Sequence, residues 1–270
     1  SNFFQDTIAS VKEISVSGTA TTAALDLMLS HLTLDGSVPY AIATNVATSS
    51  FKAASDTSGN KALSVIMKSA ASNSDLVFKD CFITSLTLSG DAGTEGGRVK
   101  FSATFQSGTK VASGELTASD VAVDTAITAN DYFMSGWDAD DRIIAGVANG
   151  VISSFSLTVD NPLTFSGIAS TGYEQAIRSG EVSATASFSV LYDNNFLDMF
   201  ERFNTTQAAG ATTGATLMNH QASLVNEYFG FKFPKSIITE VSFNEGSSMM
   251  LDVSVKAIGS GSADLFEIAC

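Results

Sequence analysis

The chain has 270 residues, of which 44% are hydrophobic and only 16% are charged, and its 28 acidic and 14 basic side chains give a net charge of −14. This length can bury one large core or two ordinary ones. The acidic balance, without any basic run, excludes tight binding of nucleic acid, which requires clustered Lys and Arg. No apolar stretch approaches the roughly 18 residues of a membrane span, so no membrane partner is predicted.

The polar part of the composition favours strands over helices. Ser, Thr, Asn and Gly carry most of it, and there are only 3 Pro residues. Ser, Thr and Gly are poor helix formers, whereas Thr, Val, Ile and Phe fit a pleated surface. The chain is therefore predicted to be mainly β.

The first half opens with a strand and a helix. Ile14 and Val16 follow the period of two that is typical of a half-buried strand. Thr21 or Thr22 can cap the helix that follows, because a hydroxyl there accepts a bond from the first helical turn. The apolar residues of this helix recur at helical spacing: Ala24, Leu25, Met28, Leu29 and Leu32.

A hairpin is predicted after this helix, beyond a long loop over residues 35–61. Its strands cover residues 83–88 and 99–105, and the Gly-rich run 90–97 supplies its turn. Residues 107–130 are rich in Ala, Ser, Thr and Asp. They are predicted to connect two units.

The second half repeats this order. A strand at 152–159 comes before the clearest alternation in the chain, in which Ser and Thr separate Val182, Ala184, Ala186, Phe188 and Val190. A second helix, capped by Asp193 or Asn194, has Phe196, Leu197, Phe200 and Phe203 on its apolar face. A strand at 229–233 and a hairpin of strands 237–243 and 249–257 complete the half.

An internal repeat explains this recurrence. Residues 14–26 match 186–198 at an offset of 172, residues 83–88 match 238–243 at 155, and residues 99–105 match 249–255 at 150. Offsets that shrink in steps are what insertions and deletions confined to loops produce. The predicted architecture is two tandem β-sandwich or barrel units, each with one short packed α-helix.

The boundaries follow from the repeat. The first unit covers residues 1–112, residues 113–130 form the connection, and the second unit covers residues 131–270. The strand at 152–159 has no counterpart in the first half, so the first unit is expected to lack its leading strand in this chain.

Candidate catalytic residues are few. His31 and His220 are the two histidines, and no G-x-S-x-G elbow supplies a nucleophile, so both are interpreted as surface or helix-end residues. Cys81 and Cys270 lie too far apart in sequence to form a C-x-x-C metal pair, and a buried thiol and a tail thiol are expected. No catalytic residue is predicted.

Candidate ligand sites also have simpler interpretations. The acidic cluster of Asp138, Asp140 and Asp141 lacks the spacing and the terminal Glu of an EF-hand and is interpreted as a solvated loop. The run 90–97 lacks the G-K-[ST] ending of a phosphate-binding loop and lies between strands. Trp137 is interpreted as a core or interface residue. No cofactor or metal is predicted.

A specific stretch of the second half resembles the tail tube proteins of long-tailed bacteriophages. It comprises S-F-S-L-T-V-D-N-P-L at 154–163, G-Y-E at 172–174, I-R-S-G-E at 177–181 and the alternating strand that ends at Val190. In that family, a strand ending in an Asp-Asn turn leads through a loop to a strand that opens with Gly and a charged residue. The resemblance covers residues 150–260, and residues 4–108 through the repeat.

The resemblance implies a structural virion protein. Each unit would donate strands to a continuous inner barrel, with the helix outside, and stacked rings would form a tube that conducts DNA during ejection. Family rings have six units, so a chain with two would form a trimer with pseudo-sixfold symmetry. The implied partners are further copies, other tail proteins and DNA in transit, and the implied location is the phage tail after synthesis in the host cytoplasm.

Two sets of residues are candidates for roles in such a tube. The hydroxyl face of the alternating strands is the candidate lumen wall, with the outer surface as the alternative: Ser15, Ser17, Ser154, Ser156, Thr158, Ser183, Thr185, Ser187 and Ser189. The long loops 35–61, 160–179 and 205–226 are candidates for contacts between rings, with disorder as the alternative. Within 160–179 the candidates are Asn161, Tyr173, Glu174 and Arg178.

Two other functions compete with this interpretation. A secreted β-sandwich module, such as an adhesin or a surface-layer domain, also favours acidic chains with Ser- and Thr-rich strands. A hydrolase with a site built from unrecognised loops is the third hypothesis.

Overall fold

A computed structural model describes residues 10–32, 40–42, 45–47, 50–53, 62–67, 76–94, 97–109, 112–113, 142–148, 151–170, 172–192, 196–207, 214–220, 229–245, 249–258 and 265–269. Within these ranges strands predominate, together with two α-helices. The predicted mainly β fold is confirmed.

The first half contributes eight strands and one helix. They are β1 (Lys12–Thr19), α1 (Thr22–His31), β2 (Tyr40–Ile42), β3 (Asn45–Ala47), β4 (Ser50–Ala53), β5 (Leu63–Met67), β6 (Leu76–Asp91), β7 (Lys100–Ser107) and β8 (Ala112–Ser113). The proposed connection at 113–130 lies outside the described residues except for its first position.

The second half contributes ten strands and one helix. They are β9 (Arg142–Ile144), β10 (Val147–Ala148), β11 (Ile152–Asp160), β12 (Leu163–Ala169), β13 (Gly172–Arg178), β14 (Ser183–Leu191), α2 (Phe196–Gln207), β15 (Gly214–His220), β16 (Phe229–Glu245), β17 (Met249–Ala257) and β18 (Phe266–Ala269).

One fourteen-stranded sheet runs through both halves, and its described pairings are all antiparallel. Its order is β1-β7-β6-β11-β14-β17-β16-β15-β9-β10, with β5 and β8 also paired to β6, and β18 paired to both β16 and β4. Strands β12 and β13 form a separate hairpin, as do β2 and β3. The first half therefore joins the second at two strand pairs, β4–β18 and β6–β11, and we call the second of these the seam.

The core lies where the long strand β16 turns over the apolar face of the sheet. Phe231 stacks on Phe188 with ring centroids 6.2 Å apart, and it also lies 6.0 Å from Phe155. Phe229 and Phe233 are fully buried beside it. Because aromatic pairs at these separations stabilise beyond their buried area, the three phenylalanines of β16 anchor a second layer on β11 and β14.

The two helices differ in how well they are covered. Thr21 caps α1 by accepting a 3.3 Å bond from the backbone of Ala24, as one of the two predicted caps. The predicted apolar residues of α1 from Leu25 onward are buried. In α2, by contrast, Leu197 and Phe200 are exposed and Met199 is buried. The predicted apolar face of α2 was therefore wrong at two positions.

The predicted long loops contain strands. Residues 35–61 hold β2, β3 and β4, residues 160–179 hold the hairpin β12–β13, and residues 205–226 hold the end of α2 and all of β15. The loop assignments were wrong because Ser, Thr and Gly dilute the apolar alternation in these segments, while backbone pairing does not depend on it.

Strand β16 also corrects a predicted boundary. Residues 229–233 and 237–243 were expected to be separate strands, but they form one strand of 17 residues. Pro234 lies between Phe233 and Ser236, where the register with β15 shifts. A bulge tolerates the missing N–H of proline, so the strand continues through it.

Candidate assembly and channel surfaces

The predicted lumen residues lie on one face of the sheet. Thr158 of β11 is paired with Thr87 of β6 on one side and with Thr185 of β14 on the other. The next row joins Ser89, Ser156, Ser187 and Ser254 across four strands. All nine candidates are half-buried or exposed. The hydroxyl face is therefore continuous from the first half into the second.

The opposite face of the same strands is apolar and buried. Leu157, Phe188 and Val190 are at most 2% exposed. Strands that bury one face and leave the other solvated show this alternation. The covering layer from β16 thus fixes which face of β11 and β14 remains open to water.

Hydroxyl pairs and acidic residues set the chemistry of the open face. Thr87 and Thr158 share a 3.0 Å hydrogen bond, and so do Ser187 and Ser254. The ionisable residues in the rows that contain these hydroxyl pairs, and in the row on either side of them, are Asp91, Asp160, Glu240, Asp252, Lys100 and Lys256. Four acids against two bases leave the face acidic, and an acidic wall repels phosphate.

The seam has its own polar contacts. The Ser85 hydroxyl donates a 2.7 Å bond to Asp160 at the end of β11. Asn161, only 1% exposed, donates from its backbone to the Thr84 carbonyl at 2.8 Å and from its side-chain amide to the Ile83 carbonyl at 3.2 Å. The Asp-Asn turn of the second half therefore docks on β6 of the first half.

The hairpin β12–β13 holds the other predicted contacts between rings. The Tyr173 amide donates to the Gly108 carbonyl at 3.1 Å, and the rings of Tyr173 and Phe165 lie 5.9 Å apart. A Cβ on Gly108 would lie 2.8 Å from Phe165 and 2.9 Å from Tyr173, so glycine permits this close approach. Glu174 is exposed, and Arg178 ends β13. Asn161 and Tyr173 thus contact the first half of the same chain.

Equivalent strands of the two halves share their register. Ile14 pairs with Phe105 as Ala186 pairs with Val255, and these residues are related by the offsets of 172 and 150. Leu63 pairs with Cys81 as Gly214 pairs with Ser236. The correspondence of β5 with β15 was missed in the sequence, because these strands share backbone pairing but little side-chain pattern.

A β-bulge also recurs at equivalent positions. The register of β6 with β7 shifts between Ile83 and Ser85, and that of β16 with β17 shifts between Ile238 and Glu240. At the first bulge the Thr84 hydroxyl donates to the carbonyl of Thr104 at 3.2 Å, and at the second the Thr239 hydroxyl donates to the carbonyl of Ser254 at 3.1 Å. Bulges are local features that relatives tend to keep.

The residues that were considered from the sequence as catalytic or ligand-binding candidates, and then given simpler interpretations, can be located in part in the structure. His31 is the last residue of α1, with Nδ1 2.7 Å from the Leu27 carbonyl, and His220 is the last residue of β15. In the described ranges, no group of three or more His, Cys, Asp and Glu could hold a metal ion. The cluster at 138–141, Trp137 and Cys270 lie outside those ranges. Cys81 is buried and unpaired with another thiol.

The described part of the chain contains two helices, α1 and α2. Neither of them is long and apolar enough to cross a membrane.

The described residues form a mainly β protein whose main sheet has one apolar, buried face and one hydroxyl face. The family model for the phage tail tube protein matches residues 6–257 of the chain. The chain therefore belongs to the phage tail tube protein family and is a structural component of the virion tail, which assembles into a tube with other tail proteins. A search of curated proteins finds no match. Nothing found favours the adhesin hypothesis.

Proposed function

We propose that this chain supplies two of the six positions in a ring of the tail tube, so that three copies close a ring with pseudo-sixfold symmetry. The two units are residues 1–112 and 131–270, joined by 113–130. The protein acts by assembly and not by catalysis, is made in the host cytoplasm and lets DNA pass without specific binding.

The repeated register is the observation that carries this proposal. Two sequence segments rarely share strand order, pairing partners and a bulge with the same threonine bond unless both adopt the same fold. Thr84 and Thr239 occupy this shared position, 155 residues apart. Two equivalent folds in one chain halve the number of chains that a six-position ring requires.

The hydroxyl face supports a lumen role. Its rows cross the seam without interruption, so both units would present the same surface to the channel. Ser15 in β1 corresponds to Ser187 in β14, and both are exposed. Because the face carries more acidic than basic residues, DNA would meet neutral hydroxyls and repelling carboxylates rather than binding cations.

The hairpin β12–β13 supports a role in contacts between stacked rings. Ile168 is 65% exposed and Ile177 is 49% exposed, and Glu174 is also exposed. Ile168 lies opposite Tyr173 and Ile177 lies opposite Thr164, so exposed apolar side chains are spread along the hairpin, and exposed apolar surface of this kind is a candidate for contact with another copy. Asn161 and Tyr173 would act indirectly, by holding the hairpin against the first unit.

Electron microscopy of the assembled protein tests the proposal. End-on views of single rings are expected to show threefold symmetry with six similar lobes, and mass measurement of one ring should give three chains. Six chains in one ring would contradict the two-unit count. Protein that stays monomeric under all assembly conditions would contradict the tube itself.

A further inference from the structure

We propose that a cavity beside the hairpin β12–β13 binds the Arg98 side chain of a copy in the next ring, and that this contact decides how stacked rings are rotated relative to one another. The inference rests on the proposed ring of three chains, in which the two units alternate around the axis. Such a ring can stack on the next in two ways, with equivalent units or with non-equivalent units in contact.

The cavity lies where the hairpin β12–β13 meets the ends of β6 and β7 in the first half. Its volume is about 280 Å³. This is slightly below the range of about 300–1,000 Å³ that is typical of small-molecule pockets, so the cavity suits one long side chain. Three aromatic rings and two carboxylates contribute to its lining: Phe82, Phe165, Tyr173, Asp80 and Glu174.

These lining groups favour a guanidinium. The rings of Phe82 and Phe165 lie 6.3 Å apart, the Tyr173 ring continues the row, and all three side chains are half-buried. Asp80 and Glu174 are exposed, and the Thr109 hydroxyl donates a 3.1 Å bond to Oδ2 of Asp80. A guanidinium stacks on aromatic faces and donates in its plane to carboxylates, whereas an ammonium cannot do both with one flat group.

The cavity and Arg98 lie at opposite ends of the sheet of the first half. Asp80 directly precedes Cys81, which pairs with Ser107 at the end of β7, whereas Arg98 precedes Lys100 at the start of β7. The seven steps from Lys100 to Ser107 span about 23 Å at 3.3 Å per residue, which is too far for Arg98 to enter the cavity of its own copy. If the hydroxyl face lines the channel, the two strand ends face the neighbouring rings.

The distribution of cations selects Arg98 as the occupant. Four of the basic side chains whose burial the structure describes are exposed: Lys79, Arg98, Lys235 and Lys256. The three lysines lie at the same end of the sheet as the cavity, and Lys79 does not line it. Of these four cations, Arg98 is therefore the one that a ring presents to the cavity of the next ring.

The second unit carries neither partner of this contact. Cys81 pairs with Ser107 as Ser236 pairs with Ala257, so Asp80 corresponds to Lys235, which is exposed. The counterpart of Arg98 at the offset of 150 is Ser248. The binding site and its ligand are thus both confined to the first unit, and a ring has three such sites.

This asymmetry distinguishes the two ways of stacking. Contact between equivalent units brings Arg98 to the carboxylates of Asp80 and Glu174. Rotation by one unit position would bring Arg98 to Lys235 instead, and like charges in contact disfavour that arrangement. Specificity commonly combines an attractive contact with the right partner and a repulsive one with the wrong partner.

Thiol cross-linking of assembled tubes tests which units are in contact. The variants Arg98→Cys/Asp80→Cys and Arg98→Cys/Lys235→Cys are made in a Cys270→Ser background, and buried Cys81 is retained. A short bis-maleimide should link copies of the first variant into a ladder that continues beyond the trimer, and should link the second at least tenfold less. Because Asp80 has a positive φ of 51°, Arg98→Cys/Glu174→Cys serves as a second variant that avoids this backbone position.

Neutral substitutions test the charge pairing. Arg98→Gln should raise the protein concentration required for tube growth roughly tenfold or more and leave single rings intact, because a charge-assisted contact is lost at each site. Asp80→Asn/Glu174→Gln should have the same effect, and all three changes together should add little further. Lys79→Gln, which removes an exposed cation beside the cavity, is the control and should not raise this concentration.

The outcomes separate the inference from the proposed function. Stronger cross-linking through position 235 than through positions 80 and 174, or fully additive effects of the neutral substitutions, would overturn the inference while the tube stands. Equal cross-linking in unstacked rings would place the contact within a ring and overturn it as well. Rings of six chains, or no rings from the unmodified protein, would contradict the proposed function itself.

Discussion

The Ser85 hydroxyl donates a 2.7 Å hydrogen bond to the Asp160 carboxylate, and this bond joins the two halves of the chain at the seam between β6 and β11. Both residues are half-buried on the hydroxyl face. A bond to a charged acceptor is stronger than one between neutral groups, although partial exposure reduces its net contribution.

Ser85→Ala should lower the free energy of unfolding by about 1 kcal/mol, because Asp160 loses a charge-assisted donor. Urea denaturation measures the change. Ser89→Ala, on the same face of the same strand, is the matched control and should cost less than about 0.5 kcal/mol. Equal losses in the two variants would show that the bond contributes nothing specific.

Asn161→Asp should be more destabilising than Asn161→Ala. The side-chain amide donates to the Ile83 carbonyl in a site that is 1% exposed, and the Oδ1 atom of Asn161 has no hydrogen-bond partner. Alanine removes the donor at a cost of about 1–3 kcal/mol, whereas aspartate buries a charge against a carbonyl oxygen. Thermal and chemical denaturation of the three proteins would rank them, and an aspartate variant as stable as the alanine variant would contradict the prediction.

Met199→Ala and Leu197→Ala form a matched pair on α2. Met199 is 1% exposed, so truncation should lower the free energy of unfolding by about 2–4 kcal/mol. Leu197 is 65% exposed, and its truncation should change the free energy of unfolding by less than about 0.5 kcal/mol. Chemical denaturation of the unassembled protein measures both, and the reverse order would show that the helix is rotated about its axis.

Lysine on the hydroxyl face should slow DNA ejection. Ser15→Lys/Ser187→Lys adds two cations per chain at equivalent exposed positions, and cations bind phosphate in a salt-dependent way. Ejection from phage particles that carry the variant would be slower at low salt than from wild type. Leu197→Lys, at an exposed position on α2, adds a cation away from this face and should leave the rate unchanged. Unchanged ejection from the double variant would place the lumen elsewhere.

The Cys81 thiol should make stability depend on pH in the alkaline range. Burial raises the pKa of this thiol above its ordinary value. Its contribution is therefore complete below the pKa of the unfolded thiol, about 8.5, and is lost as the pH rises through the folded pKa. Unfolding free energies measured above about pH 8.5 should fall more steeply for wild type than for Cys81→Ala. Parallel curves for the two proteins would contradict this.

Much of the fold was predictable from side-chain periodicity. The alternation from Val182 to Val190 identified β14, and the spacing of Leu25, Met28 and Leu29 identified α1, because burial of one face selects apolar residues at the period of the element. The family resemblance was predictable from the same strands and the Asp-Asn turn. That prediction is confirmed.

The remainder depends on interactions that leave little trace in side-chain pattern. Strand β15 pairs with β16 through its backbone, and the hairpin β12–β13 is held by the approach of Tyr173 to Gly108, residues 65 positions apart. The docking of Asn161 on Ile83 likewise joins residues 78 apart in sequence. Only the Asp-Asn signature marked that site. The exposure of Leu197 and Phe200 also could not be read from the apolar spacing of α2.

The pairing of β4 with β18 places Lys52 beside Glu267, near the other end of the chain. Lys52 and Glu267 are 215 positions apart in sequence, and a ribosome that adds about 5–20 residues per second needs on the order of 10–40 s to cover that separation. During that interval β4 has no access to its eventual partner. Strand β4 can therefore complete its pairing only after β18 has been synthesised, so the sheet of the first half stays incomplete while the second half is being translated.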